Sequence, residues 1–460
     1  MSRTTTAART RTGTPAPGRR TTTALARALP LALLLTACGG SPQADDSAVT
    51  VTIGYQSKTI NTVTAGTLLR SLGHFERELR ALGERDGRTY RVVWQDYATG
   101  APITAQMTAG KIDIGSMGDF PLLLNAARGR QLDRPTKLVS VTGYNLRGAL
   151  NTIVTAPGSS LTTLEDLRGR KVSTSVGSAA DGTLVRALEQ KGITVRKLNQ
   201  QPAVGASALS AGSIDALSQF VAWPGLLAFQ GKAKALYDGG ELNVPTFHGV
   251  TTRAAFAEQH PGVVDAFLRA QRTATAYLRT HPVDASRKVA AATGLPAEVV
   301  HLYNGPNGIA TFDPTIKPRL VAALKQDVPI LVAAGLVRDG DVDVDAFVDD
   351  SHIRRVYGAG YAEQRAALAP PSRSEVWLGD GTTTFATPAE ALRHVAAHRD
   401  RVRAAYVPDT TTGTLWFADR SVWLQDGDRR LPFQTRSAAD AYRAAHPNAR
   451  LLTYEQALRP

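Results

Sequence analysis

Apolar and polar positions alternate over residues 49–55, Val-Thr-Val-Thr-Ile-Gly-Tyr, and this β-branched stretch predicts a strand. Leu68, Leu69, Leu72, Phe75, Leu79 and Leu82 recur at helical spacing, which predicts a helix over 64–82 with Gly83 as its stop. Residues 90–94 read as a second strand, and 103–109 as a short helix closed by Gly110. Lys111-Ile112-Asp113-Ile114-Gly115 alternates again and predicts a strand. Ser116-Met117-Gly118-Asp119 follows as a loop, and Phe120-Pro121 opens the next helix.

The same design restarts further on. Strands are predicted over 138–144, 150–155, 170–174, 195–198 and 213–217, with a capped turn at 161–167 and a helix from Ala179 through Leu188. A helix over 206–211 is closed by Gly212. Ala211-Gly-Ser-Ile-Asp-Ala-Leu217 repeats Ala109-Gly-Lys-Ile-Asp-Ile-Gly115, and Gln219 to Pro224 is its loop. Repeating βαβ units imply a mostly parallel sheet with helices on both faces. After residue 245 the pattern turns mainly helical, over 261–280, 282–292, 296–303, 314–335 and from 345, most with Pro near their starts. Pro370-Pro371-Ser372 marks a boundary. Beyond it the periodicity changes to short strands and two helices in the order ββα–βββ–αβ, a small α+β unit.

Composition changes the picture chiefly at the start of the chain. Residues 1–37 hold six arginines and no acidic residue, then an apolar run at 28–35 too short for the roughly 20 residues of a membrane span. A basic segment, a short apolar segment and small residues before the cut make a secretory signal. Leu35-Thr36-Ala37-Cys38 resembles the bacterial lipobox, which implies cleavage before Cys38 and its acylation, with 38–47 as a tether. Arg19-Arg20 is not followed by a full twin-Arg motif. Removing the signal lowers the formal net charge from +13 to +7, and the remaining basic residues are scattered, so no nucleic-acid partner is expected. Cys38 is the single cysteine, so an intrachain disulfide is excluded.

The candidate chemistry lies in loops at strand ends. Small residues and a Ser hydroxyl at a helix start suit a small anion, since unpaired N–H groups and the helix dipole point at it. Open α/β sheets place ligands there. Ser116 to Asp119 and Ser175 to Ala179 are two such loops, able to face each other across a cleft; an ordinary strand-to-helix turn is the alternative. Trp223 is either core or a cover for an apolar ligand tail.

Several stretches come in the order seen in substrate-binding proteins of ABC transporters. They are Ile53-Gly-Tyr-Gln56, Val93-Trp94, Gly100-Ala-Pro102, Gly110 to Gly115, Gly118-Asp-Phe-Pro121, Asp166 to Gly169, Gly177-Ser178, Ala211 to Ala216 and Asp341 to Asp349. The chain resembles the aliphatic-sulfonate, taurine and nitrate group over about 300 residues. The resemblance implies a type II periplasmic-binding-protein-like α/β fold over 48–356. Lobe 1 would be about 48–140 plus 245–356, and lobe 2 about 141–244. It implies a ligand site on Gln56, Ser57, Met117, Gly118, Asp119, Ser175, Gly177, Ser178, Gln219, Phe220 and Trp223. It also implies a small anionic solute, a partner ABC permease, attachment to the outer face of the cell membrane through the lipid, and a monomer. Asp119 either meets a ligand amine or, the favoured reading, holds its own loop. Lys58 pairs with the anion or lies in solvent.

Some relatives of this fold are desulfinases, which need a cleft cysteine, or a thiamine-pyrimidine synthase, which relies on cysteine and histidine. Cys38 is consumed by the signal, and His74, His248, His260, His281, His301 and His352 do not fall on the cleft loops. No Gly-x-Ser-x-Gly elbow follows a strand. A binding protein without catalytic residues, cofactor or metal is expected. The tail (372–460, after a linker at 357–371) resembles the NosL-type accessory domain of nitrous-oxide-reductase assembly through Gly381 to Phe385, Ala405 to Asp409, Leu415 to Asp419 and Leu431-Pro-Phe433. That family handles copper with Met and Cys, and this tail has neither. His394 and His398 share a helix face, solvated or metal-binding. A metal-handling or interaction lipoprotein acting through the tail is the alternative function.

Overall fold

The structure, a computed structural model, describes residues 48–459. The signal, Cys38 and the tether lie outside the described residues. Among the described residues, no helix is long and apolar enough to cross a membrane.

Two sheets organise the chain up to residue 312. Their strands are β1 (Val49–Tyr55), β2 (Tyr90–Asp96), β3 (Ile114–Gly118), β4 (Thr136–Asn145), β5 (Asn151–Thr155), β6 (Lys171–Thr174), β7 (Arg196–Asn199), β8 (Ala216–Phe220), β9 (Lys234–Asp238), β10 (Thr246–Arg253) and β11 (Thr311–Phe312). Lobe 1 has the order β11-β4-β10-β3-β1-β2 and lobe 2 the order β7-β6-β8-β5-β9. In each lobe the βαβ strands pair in parallel and one antiparallel strand is inserted beside them: β10 on β3, and β5 on β8. The chain crosses between lobes twice, at 146–150 and 239–245. Lobe 1 therefore reaches Asn145 rather than residue 140, because β4 stays in its sheet.

Three readings of the pattern need correction. The helix expected over 64–82 is three pieces: a 3-10 turn Ile60–Ala65 and helices Thr67–Leu72 and His74–Asp86. Gly73 breaks it with a positive φ of 61°, whereas Gly83 stays helical, where a Cβ would stand 2.4 Å from the Arg88 carbonyl oxygen. The strands expected over 111–115 and 213–217 begin three residues later. Asp113 and Asp215 occupy the entrance instead. The Asp113 carboxylate accepts from Thr52 N, and the Asp215 carboxylate accepts from Lys171 N. Their own N–H groups donate to the carbonyls of the same two residues. Each Asp thus extends the ladder with its side chain, and this is the physical content of the repeated Ile-Asp motif. The third correction concerns 246–253, within a region expected to be mainly helical. It is the strand β10, central in lobe 1.

The tail has seven strands: β12 (Ser374–Leu378), β13 (Gly381–Phe385), β14 (Val402–Pro408), β15 (Leu415–Phe417), β16 (Val422–Asp426), β17 (Arg429–Phe433) and β18 (Arg450–Leu452). They form the sheets β13-β12-β14-β15 and β17-β16-β18, so four strands, not three, separate the helices Pro388–Ala397 and Arg436–Ala445. Most of the expected linker is folded. Helix Tyr361–Ala366 packs on lobe 1, where Lys317 Nζ donates to the Gln364 and Arg365 carbonyls. Lobes and tail share one core: Ile60, Val63, Leu150, Val221, Tyr303, Trp377, Tyr406 and Trp416 belong to a single buried cluster.

Candidate functional site

The carboxyl ends of β1, β3, β6 and β8 point at the seam between the lobes. Two 13-residue helices begin there, Asp119–Gln131 in lobe 1 and Ala179–Lys191 in lobe 2. The lobes touch closely. A Cβ on Gly118 would lie 3.5 Å from the Ala179 Cβ, and one on Gly177 would lie 3.1 Å from Leu124. Arg186 of lobe 2 pairs with Asp327 on the lobe 1 helix Pro318–Ala333 at 2.6 Å.

The sequence-derived residues divide by role. Gln56 is buried and its Nε2 donates to the Ser116 carbonyl at 3.1 Å. Ser57 donates from both N and Oγ to the Asp96 carboxylate. Met117 lies inside β3 and packs with Ile103, Met107 and Ile112, so it is core rather than a wall of the cleft. Gly118 precedes the helix at the seam. Asp119 is buried and accepts from Phe120 N at 2.8 Å and from Phe247 N at 3.3 Å, which ties its own helix start to β10. Burial raises its pKa from the usual 3.8 to about 6, against the lowering effect of those two hydrogen bonds. Burial, and then the nearby Asp119, also push Asp327 up.

In lobe 2, Gln219 Nε2 donates to Ser175 Oγ at 3.3 Å, and Ser175 Oγ donates to the Gln200 carbonyl. Gln219 and Phe220 are inside β8, not on a loop. Ser178 caps its helix by accepting from Asp181 N, and Gly177 N donates to the Asp181 carboxylate. Lys197 pairs with the same carboxylate at 3.0 Å. Phe120 N and Gly177 N, expected to be free for an anion, are therefore engaged by the chain's own carboxylates, and Asp181 N by the Ser178 hydroxyl. Trp223 is half-buried against Val154, Leu209, Ile214 and Leu227 of lobe 2, a core contact.

Three seam residues escaped the sequence reading. Asn61 Nδ2 meets His248 Nδ1, and a Cβ on Gly118 would stand 3.1 Å from His248 Nε2. A histidine thus does reach the cleft end of lobe 1, contrary to the sequence expectation. Burial pushes its pKa down to about 3, so the ring is neutral. Asn151 opens β5 beside Phe220 and donates to Thr183 Oγ1. Their signal was weak: a polar residue within a β-branched or apolar stretch, visible only once β10 and the 60–65 turn are recognised. Asn61 Oδ1, Asn151 Oδ1 and Gln219 Oε1 are buried and have no partner. Buried amide oxygens without a partner cost about 1–3 kcal/mol each, and a bound polar molecule would relieve that.

A cavity of about 640 Å³ lies elsewhere, lined by Asn145, Arg147, Arg279, Asn307, Phe312 and Thr414 among others, and none of the sequence-derived residues borders it. No group of three or more His, Cys, Asp or Glu able to hold a metal occurs among the described residues. His394 packs against Phe385 and His398 with tilted rings, their centroids 5.0 and 4.4 Å away.

Two lobes with inserted antiparallel strands, crossed twice and meeting at strand carboxyl ends, are the periplasmic-binding-protein-like α/β fold. Known proteins agree. Residues 94–285 match the family described as NMT1/THI5 like. The chain is 27% identical over 301 residues to a putative aliphatic sulfonates-binding protein of Escherichia coli (strain K12), covering 65% of this chain and 88% of that one. It is 26% identical over 223 residues to the taurine-binding periplasmic protein of the same strain, covering 47% and 66% of the two chains. Among solved structures it resembles the alkanesulfonate-binding protein SsuA from Xanthomonas axonopodis pv. citri bound to MOPS. That match has a TM-score of 0.55 and 23% identity, over 65% of this chain and 98% of that one.

Proposed function

We propose that this chain is an extracytoplasmic solute-binding protein that captures a small anionic solute, first of all an aliphatic sulfonate, and delivers it to an ABC importer. It is held to the outer face of the membrane by acylated Cys38. The observation that carries the reading is the polar seam, where Asn61, Asn151 and Gln219, drawn from both lobes, each bury an amide oxygen without a partner while the amide nitrogen is bonded to a neighbour. A sulfonate stays ionised and needs neutral donors rather than a base. Reoriented side-chain amides and the Ser175 hydroxyl supply such donors. The similarity to sulfonate- and taurine-binding proteins supports the choice of solute. Solute entry requires the lobes to part, since in the closed arrangement Gly118 faces Ala179 with room for little more than a methyl group between them. The tail, without Met or Cys, is read as an extension of the binding unit rather than a copper carrier.

A thermal-shift panel on residues 43–460 tests this, with alkanesulfonates, taurine, nitrate, bicarbonate, formylaminopyrimidine and copper. A solute at 100 times its Kd adds about 2.7 kcal/mol to stability, readily seen as a rise in midpoint. A rise with copper alone, and with no organic anion, would refute the reading.

A further inference from the structure

The tail grips both lobes at their hinge. On lobe 1 it docks against helix Ala297–Asn304. The buried Glu375 and His301 pair at 2.9 Å, Arg403 pairs with Glu298 at 2.6 Å, and the Tyr406 hydroxyl donates to the Glu298 carbonyl. Arg287 of the preceding helix reaches Asp380 at 2.7 Å. On lobe 2 the contact is different in kind. Thr412 Oγ1 and Thr414 Oγ1 each donate to Asp238 Oδ2 at 2.7 Å, and Phe417 packs on Phe229 with ring centroids 5.5 Å apart.

Asp238 ends β9 and leads directly into the second crossing. Its other oxygen accepts from Gly240 N at 2.8 Å. The two crossings lie against each other: a Cβ on Gly148 would stand 2.7 Å from the Val244 carbonyl oxygen and 2.9 Å from that of Gly239. A Cβ on Gly240 would stand 3.0 Å from Thr414 Oγ1. Rotation of lobe 2 away from lobe 1 must change the backbone here, because hinge motion is absorbed by a few residues at the crossing. With the tail fixed to lobe 1, that rotation pulls Asp238 off its two threonines and Phe229 off Phe417. Asp238 is buried, so losing those donors leaves a desolvated carboxylate with one partner, a costly state.

We propose that the tail is an internal clamp that holds the two lobes closed in the absence of solute, through its grip on Asp238 and Phe229 of lobe 2. The affinity of the seam then depends on a domain that does not touch it. This last point rests on the function proposed above; the clamp itself does not. A binding protein whose closed form is already populated gains apparent affinity, since apparent Kd is the intrinsic value divided by the fraction competent.

The test uses residues 43–460 with spin labels at Leu132→Cys and Val204→Cys, exposed positions on lobes 1 and 2. Double electron–electron resonance then reads the distance between the lobes. The chain with an intact tail should give one narrow distance, unmoved by saturating taurine or ethanesulfonate. The variant Thr412→Val/Thr414→Val should give a broader, longer distribution, and the milder Phe229→Ala should do the same should the double variant fail to fold. The Kd for the sulfonate should rise about tenfold if the closed fraction falls to about one tenth. A broad solute-free distribution with the tail intact, narrowing on addition of solute, overturns the clamp. So does a wild-type distribution in a folded variant. Narrow and broad distributions as expected, with no binding of either sulfonate, uphold the clamp and remove the aliphatic sulfonate as the solute instead.

Discussion

The ring of Phe120, at the start of a lobe 1 helix, lies on Gly182 of a lobe 2 helix so closely that a Cβ there would stand 2.2 Å from it. The glycine is helical and its φ is ordinary, so the constraint is space alone. Gly182→Ala should gain up to about 1 kcal/mol in helix propensity yet lose about 1–3 kcal/mol to overpacking. The expected result is a lower midpoint of thermal unfolding together with weaker solute binding, because the wedge acts at the seam. A rise in midpoint with unchanged affinity would show that the lobes do not meet here.

Gln219 reaches Ser175 and leaves its own carbonyl oxygen unpartnered. Gln219→Leu removes an unsatisfied group from the empty protein and a donor from the occupied one. Stability should therefore hold or improve while sulfonate affinity falls by about 10- to 100-fold, the worth of one or two hydrogen bonds to an ionised group. Titration calorimetry and thermal unfolding on the same variant separate the two effects.

His248 and Asp119 should drive stability in opposite directions with pH. Burial lowers His248 from 6.5 to about 3. Below pH 6.5 the unfolded chain takes up a proton that the folded chain refuses, so stability is lost as pH falls from about 6.5 towards 3. The slope is about 1.4 kcal/mol per pH unit for this one group. Asp119 is raised from 3.8 to about 6, so its folded form binds a proton first and its contribution grows as pH falls from about 6 to 4. Urea unfolding across pH 4–7 should show a flatter loss towards acid for His248→Gln and a steeper one for Asp119→Asn, each relative to wild type. Parallel curves for all three proteins would count against both assignments.

Trp377 is fully buried between the His301 ring at 5.0 Å and the Arg403 guanidinium at 5.1 Å, at the joint of tail and lobe 1. Trp377→Ala should cost about 3–5 kcal/mol. Calorimetry should show one cooperative transition for the intact protein and two for the variant, as the tail uncouples. Two transitions in the wild type would mean that the shared core does not couple them.

The βαβ alternation in the first 240 residues was legible because strand and helix periods differ and glycines punctuate them. The repetition of the Ile-Asp motif was legible for the same reason, while its assignment to two lobes came from the family resemblance. What failed was placement by a few residues. Asp113 and Asp215 look like strand residues in the alternation, yet their carboxylates bond the neighbouring backbone and the strands begin after them. That shift moved Met117, Gln219 and Phe220 from presumed loops into buried strands. The strand β10 has a weak signature, because Thr246–Arg253 holds a glycine and a histidine amid β-branched residues, and only its pairing with both β3 and β4 fixes it.

Periodicity and short-range turn chemistry along the chain set the local elements and the strand ends from which a site would be built, and the order of the motifs carried the two-lobe resemblance. Turn chemistry also located Asp119 at a helix start. Which side chains meet is a matter of long-range packing. His248 faces Asn61 across 187 positions of chain, and Thr412 holds Asp238 across 174. Contacts of that separation depend on how lobes and tail pack, and no local pattern encodes them.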